Sequence, residues 1–350
     1  MSVTVAVDAT GADLGPAEVA RGAAQAAHGG LKVLLFGPAA PLEEALSEFP
    51  SADVEVVDAP VSIAKEADPA RAVRQHPYAS IVQAVRAVKD GDADAFVAAG
   101  ATGAALAAGM SLLGRADGIR RPAIAAQIPL PEKAVTLLDM GANVSVRPEH
   151  LEQFAFMGRA FSQAVVGIEH PRVALLSNGE ESISGTDLVR EVHVRLSSHE
   201  GLGFIGNIDG ASIPAGVADV VVTDGFTGNI ALKAMEGVST ELFHLIRGTI
   251  EASSRGKAGG LLLRGPLRGL RDMLDPELQG GAYLLGLGAL GVIAHGRFTE
   301  LGFENAVARA GRAVEADLLG LTLNSLQSAG ALHVRRKRTA PADTVVVNDA

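Results

Sequence analysis

Cysteine and tryptophan are absent from this 350-residue chain, and tyrosine occurs only twice. Without thiols there is no disulfide framework, no thiolate nucleophile, no cysteine-ligated zinc and no iron–sulfur cluster. Positive charge is also scarce. Thirty Lys and Arg stand against 40 Asp and Glu, giving a net charge of −10 and a pI near 5.4. A general nucleic-acid binder needs a basic face to neutralise phosphates, so no nucleic acid is expected as a partner. Long apolar runs are missing too. One uncharged stretch, Leu278 to Ala294, has seventeen residues of which five are glycine. That sits at the short edge of what crosses a bilayer of roughly 30 Å, and the run reads as buried core. The opening residues, MSVTVAVDATGAD, reach an aspartate at position 8 without the basic and apolar segments of a secretion signal. The expected location is cytoplasmic.

What the chain does have is core material: 48% of its residues are hydrophobic and 20% charged, which excludes a disordered protein. Apolar runs of strand length recur, each bounded by glycine or aspartate and followed by an Ala/Leu-rich helical stretch. The clearest strands are Val3 to Val7, Val33 to Phe36, Ala95 to Ala98, Val135 to Leu138, Val173 to Leu176 and Val220 to Thr223. Expected helices cover Pro16 to Ala27, Ala79 to Lys89, Glu149 to Val165 and Ile230 to Ile246. This alternation implies an α/β fold with a mostly parallel sheet covered on both faces. Asp8, Gly100, Asp139, Asn178 and Asp224 fall at or just beyond strand carboxyl ends. Open α/β sheets collect ligands on that edge, so all five are expected at one crevice; as single residues they also read as turn formers and helix caps.

Two segments have the form strand, glycine turn, helix: AFVAAGATGAALAAG at 95–109 and VVVTDGFTGNIALKAMEG at 220–237. Gly100 with Gly103, and Gly225 with Gly228, let backbone N–H groups approach a phosphate or a thioester oxyanion at a helix N-terminus. The same glycines also serve plain strand-to-helix packing. In LLDMGANVSVRP at 137–148, Asp139 ends a strand, and Asn143 either fixes a polar substrate or closes a self-satisfied turn. The stretch Arg255 to Arg271, RGKAGGLLLRGPLRGLR, interrupts the alternation with leucines set among basic residues and glycines. It reads as a projecting basic loop or short helical hairpin near residues 252–274, suited to an anionic membrane surface, or else a dimer contact or a solvated loop. One domain is expected over 1–334, with a basic, disordered tail over 335–350.

Taken in order, VAVDATGADLGP, GDADAFVAAGATGA, RRPAIAAQIP, LLDMGANV, LEQFAFMG, FIGNIDG, ADVVVTDGFTGNIALKAMEG, GGAYLLG and His295-Gly296 resemble the PlsX family across residues 3–312. These are the phosphate acyltransferases of phospholipid synthesis. The resemblance implies a Rossmann-like α/β/α sandwich, a homodimer and peripheral membrane association through the leucine-rich hairpin. It further implies transfer of a fatty acyl group from acyl carrier protein to inorganic phosphate, with no metal and no organic cofactor. Carried onto this chain, Asn229, Asp224 and His295 are the expected catalytic residues. Asp8, Arg74, Ser80, Gly100, Thr102, Gly103, Asp139, Asn143, Ser184, Gly225 and Gly228 are the expected substrate-binding residues. Asn229 and the backbone of the 225–229 turn would polarise the thioester carbonyl, and the Gly100–Gly103 turn with Arg74 would cradle the anion.

The chain departs from the family pattern at ligand-facing positions. Ala98 and Ala101 stand where serine and asparagine are usual, and Ser184, before Gly185, stands where a lysine is usual. Thr10, Ala12 and Leu14 replace Met, Gly and His, while residues 71–80 keep Arg71, Arg74 and Ser80 but show His76, Pro77 and Ala79. A lost charge-assisted hydrogen bond costs about 1.5–3 kcal/mol, with Arg74 and His76 the cations best placed to compensate. Two alternatives follow: a divergent paralogue that uses another acyl acceptor, and a non-catalytic scaffold that binds the carrier or a membrane. The first strand is followed by DATGAD rather than GxGxxG, which argues against a dinucleotide enzyme.

Overall fold

The computed structural model describes residues 2–131, 133–273 and 275–333. The expected tail at 335–350 lies outside them. Eleven strands form one sheet: β1 (Thr4–Asp8), β2 (Lys32–Gly37), β3 (Val54–Asp58), β4 (Ala95–Ala99), β5 (Ala123–Pro129), β6 (Ala134–Leu138), β7 (Val173–Leu176), β8 (Phe204–Ile208), β9 (Val220–Val222), β10 (Ala282–Leu285) and β11 (Leu290–Ala294). Their spatial order is β3-β2-β1-β4-β11-β10-β5-β6-β9-β7-β8. All six strands read from the sequence are present. β3, β5 and β8 are additional, and the uncharged 278–294 run folds as the β10–β11 antiparallel pair.

Helices cover both faces: α1 (Pro16–His28), α2 (Ala39–Leu46), α3 (Pro69–Gln75), α4 (Ser80–Asp90), α5 (Thr102–Leu112), α6 (Pro148–Phe161), α7 (Asp187–Ser197), α8 (Gly225–Glu251), α9 (Ser254–Met273), α10 (Glu300–Glu315) and α11 (Leu318–Ser328). Local chemistry sets their ends. Pro16 opens α1 with a preset φ, Asp68 caps α3 by accepting from Arg71 N at 3.0 Å, and Gly91 ends α4 in the left-handed region. Strand residues alternate between two cores. Val5, Val7, Val33 and Leu35 face α1, α2 and α10, whereas Ala6, Leu34, Phe96 and Ala98 face α3, α4 and α5. Over the far half of the sheet, Val135, Leu137 and Val221 meet Leu232 and Met235 of α8. The core is close-packed enough to need missing side chains: a Cβ on Gly291 would lie 2.3 Å from the Phe96 ring.

Pairing is parallel except at β11–β10, β10–β5 and β5–β6. Three antiparallel steps reverse the sheet, so β6, β7, β8 and β9 run opposite to β1, β2, β3, β4 and β11. The single crevice expected from the sequence is corrected accordingly. Asp8, Gly100 and His295 end strands on one rim, and Asp139, Asn178 and Asp224 end strands on the opposite rim. Apolar strand runs look alike whichever way they point, so nothing in the pattern marks the reversal. The basic segment 255–271 is the second arm of a helical hairpin whose first arm is α8, longer at both ends than the helix read from the sequence. Among the described residues no helix is long and apolar enough to cross a membrane.

Candidate active site

On the first rim the buried Asp8 carboxylate accepts from Ser80 Oγ at 2.6 Å, from Thr10 Oγ1 at 3.0 Å and from Thr10 N at 3.1 Å. The Thr10 and Ser80 hydroxyls lie 2.6 Å apart. Burial pushes the Asp8 carboxyl above the usual carboxylate range, and these hydrogen bonds pull part of the way back. Ser80 opens α4, so the cluster ties the end of β1 to a helix N-terminus.

Three turns meet beside it with no side chain between them. A Cβ on Gly100, whose φ is +73°, would lie 2.6 Å from Gly11 O and 2.8 Å from Gly296 Cα. Only glycine fits that approach. The chain then enters α5 at Ala101, a residue with no side-chain oxygen to accept from the helix, and α5 carries no side-chain cap. The N–H groups of its first turn therefore lack intrahelical acceptors and carry the positive end of the helix dipole. Thr102 and Gly103 are exposed there. Arg74, at the last turn of α3, is exposed as well. Ala98 and Ala101 are buried in the apolar core, so the two alanine departures remove polar atoms without opening the turn.

His295 closes this rim. Its Nδ1 accepts from Arg297 N at 3.2 Å, which places the ring proton of the neutral form on Nε2. Desolvation lowers its pKa, and the Arg297 and Lys233 charges lower it further against Glu236 and Asp13. Lys233 and Glu236 belong to α8, where Lys233 Nζ meets Glu236 Oε2 at 2.7 Å. Sequence reasoning missed both. The signal was there in the helix period: Asn229, Lys233 and Glu236 stand at i, i+4 and i+7 and share one face of α8. Asn229 thus lies one turn from a cation that acts on His295.

The second rim is built differently. Asp139, fully buried, accepts from Ile124 N, Ala142 N, Asn143 N and Asn143 Nδ2 at 2.8–3.1 Å. Asn143 Nδ2 also donates to Pro122 O at 2.7 Å, so both amide hydrogens are used inside the turn. Burial raises the Asp139 pKa and the four donors lower it. Of the two readings open for this segment, the self-satisfied turn is the one observed. Asp224, an expected catalytic residue, caps α8, Oδ1 accepting from Thr227 N at 2.9 Å and Oδ2 from Thr227 Oγ1 at 2.7 Å. Gly225 and Gly228, expected in an anion cradle, pack closely against the Asp139–Asn143 turn. Their Cβ atoms would lie 2.8 Å from Asn143 O and 2.1 Å from Asp139 O. A carboxylate already occupies that helix terminus, which disfavours a second anion. Ser184 stands apart in the loop after β7 and donates to Glu181 Oε2 at 2.7 Å.

The geometry therefore offers a glycine-lined, uncapped helix terminus, a neutral imidazole, and an Asn–Lys–Glu helix face. Comparison with known proteins gives this arrangement its context. The model of the fatty acid synthesis protein family, the PlsX family, matches residues 3–320. The chain belongs to that family. It is 42% identical over 316 residues to a phosphate acyltransferase of Elusimicrobium minutum, covering 89% of this chain and 92% of that protein. It is 42% identical over 297 residues to a phosphate acyltransferase of Latilactobacillus sakei, covering 83% of this chain and 88% of that one. Among solved structures, a phosphotransacetylase from Streptococcus pyogenes superposes with TM-score 0.59 at 17% identity, covering 90% of this chain and 94% of that one. The EutD phosphotransacetylase from Staphylococcus aureus gives 0.57 at 16%, over 89% and 94% of the two chains. At those identities the likeness is one of fold, and it bears out the Rossmann-like α/β expectation for this PlsX-family chain.

Proposed function

We propose that this protein is a phosphate acyltransferase that moves a fatty acyl group from acyl carrier protein to inorganic phosphate. The observation that carries the reading is the uncapped start of α5, held open by Gly100 against Gly11 and Gly296, in a chain 42% identical to phosphate acyltransferases. A phosphate oxygen attacks the thioester carbonyl, the carbon–sulfur bond breaks, and acyl phosphate and free carrier thiol are the products. The α5 N–H groups with Arg74 hold the dianion, and the Asp8–Ser80–Thr10 cluster fixes the neighbouring turn. Asn229 Nδ2 and Lys233 stabilise the oxyanion. The phosphate hydroxyl proton passes to the departing sulfur, and the His295 Nε2–H donates a hydrogen bond to the charge that develops.

Homodimerisation is supported by the stripe Phe226, Ile230, Val238, Leu242 and Leu245 along α8, which is exposed among the described residues. Contact with the inner membrane face is supported by Leu261, Leu262 and Leu263 on α9, 52–83% exposed among basic residues. A second reading, an acceptor other than phosphate, is favoured by Ser184, which stands where the family resemblance leads one to expect a lysine and donates its hydroxyl to Glu181. Incubation with long-chain acyl carrier protein, with and without phosphate, separates the readings by mass spectrometry. Acyl phosphate formed only with phosphate is the expected result. Thioester loss that ignores phosphate would establish the second reading, and carrier binding without turnover would leave a scaffold.

A further inference from the structure

Four arginines converge where β5 begins and β6 ends, away from the residues assigned to the reaction. Arg115, Arg120 and Arg121 line a hollow of about 350 Å³ floored by Leu106 and Met110 of α5, with Asn143 at its inner end. Arg147 joins them across His150, whose imidazole is held low by desolvation and by the charges of Arg121, Arg120 and Arg147, against Glu149. None of the four pairs with a carboxylate within 4.0 Å among the described residues. Elsewhere arginines are neutralised: Arg172 meets Asp219 at 3.0 Å, and Arg195 meets Glu149, Glu152 and Glu191 at 2.9–3.4 Å. Glu149, whose charge also reaches Arg120 and His150, is shared with Arg195 at 3.4 Å, and Asp117 is the carboxylate within the 115–121 loop.

In a chain of net charge −10 this is a local positive field. Exposed Met110 and Val144 set apolar contacts beside it. Arginines around a small apolar floor, without a carboxylate partner among the described residues, are the composition of a protein-recognition surface for a partner of opposite sign. Its position fits the donor. The hollow lies at the C-terminal end of α5, whose eleven residues span about 16 Å back to the Gly100–Gly103 turn.

We propose that this arginine rim docks the acyl donor through an acidic face of the carrier protein, from which the thioester reaches along α5 toward the reacting groups. The proposal rests on the reading that the donor is a carrier protein. Its test uses the full chain with Arg121→Glu and Arg147→Glu, singly and together, and with the milder Arg121→Gln and Arg147→Gln; unchanged melting temperatures confirm folding. Two quantities are measured: affinity for unacylated carrier by fluorescence anisotropy at low and high salt, and turnover of acyl carrier against the same acyl group on pantetheine. The expected result for the double reversal is an affinity loss of about tenfold or more and a flattened salt dependence. Turnover of acyl-pantetheine and the KM for phosphate stay unchanged.

Carrier affinity unaffected by both reversals overturns the proposal. Equal losses with both donors overturn it in favour of a role at the reacting groups. Lost binding to vesicles containing anionic lipid, with carrier binding intact, overturns it in favour of a lipid surface. Should the wild type bind carrier through these arginines yet form no acyl phosphate, the docking surface stands and the phosphate reaction falls.

Discussion

The two glycine turns, Gly100–Gly103 and Gly225–Gly228, have the same outline in sequence and opposite uses in the folded chain. Each follows a buried strand and opens a helix. At α5 the residue before the helix is Ala101, the first-turn N–H groups stay free, and Gly100 is held in the left-handed region by backbone on two sides. At α8 the residue before the helix is Asp224, whose carboxylate takes the Thr227 N–H and hydroxyl, and the glycines press against Asp139 and Asn143. The lesson is that glycine spacing shows where a backbone comes close to something. The capping residue decides whether that something can be an anion.

The largest expected effect tests whether α8 contributes by its flank rather than its terminus. Asn229→Ala lowers kcat by about 10²–10³, the size of losing an oxyanion donor, with little change in melting temperature. Gly228→Ala drives a Cβ into Asp139 O and costs about 1–3 kcal/mol in urea unfolding. A stability unchanged by that substitution would contradict the packing role.

Making one turn resemble the other sharpens the contrast. Ala101→Asp gives α5 the carboxylate that α8 has, and the KM for phosphate rises about tenfold through repulsion at the helix terminus. Ala101→Asn, which restores the amide usual in the family, leaves that KM the same or lower. Asp224→Ala removes a cap and lowers stability by about 1 kcal/mol, with no effect on the phosphate KM.

The smallest effect is in pH dependence. His295 is lowered from 6.5, so its neutral form persists below that value, and the acid limb of kcat lies below pH 6.5. The stability that the Arg297 N–H to Nδ1 bond contributes is complete above the unfolded pKa and is lost as pH falls through the folded one. Lys233→Met removes a lowering charge, so the limb moves to higher pH; a limb that stays put separates Lys233 from His295.

Much of the scaffold was legible. Val5, Val97, Val135 and Val221 lie in runs apolar enough to be buried on both faces, and each is a strand. β3 and β8 escaped because Glu55 and Asn207 interrupt their apolar pattern, while β10 and β11 escaped because glycines broke a single run into two strands. The site was legible residue by residue but not as a grouping. Asp8, Gly100 and His295 share a rim as strand ends should, whereas Asp139 and Asp224 lie on the opposite rim after three antiparallel steps.

Taken alone, the order of amino acids determined which stretches bury themselves, where helices begin and the family to which the chain belongs, because hydrophobic period, capping chemistry and motif are local properties. Tertiary structure decided which polar groups remain free. Whether a carboxylate binds a substrate or satisfies its own backbone depends on the donors that a distant strand or turn brings to it. Asp139 and Asp224 are spoken for, while the start of α5 carries no side-chain cap.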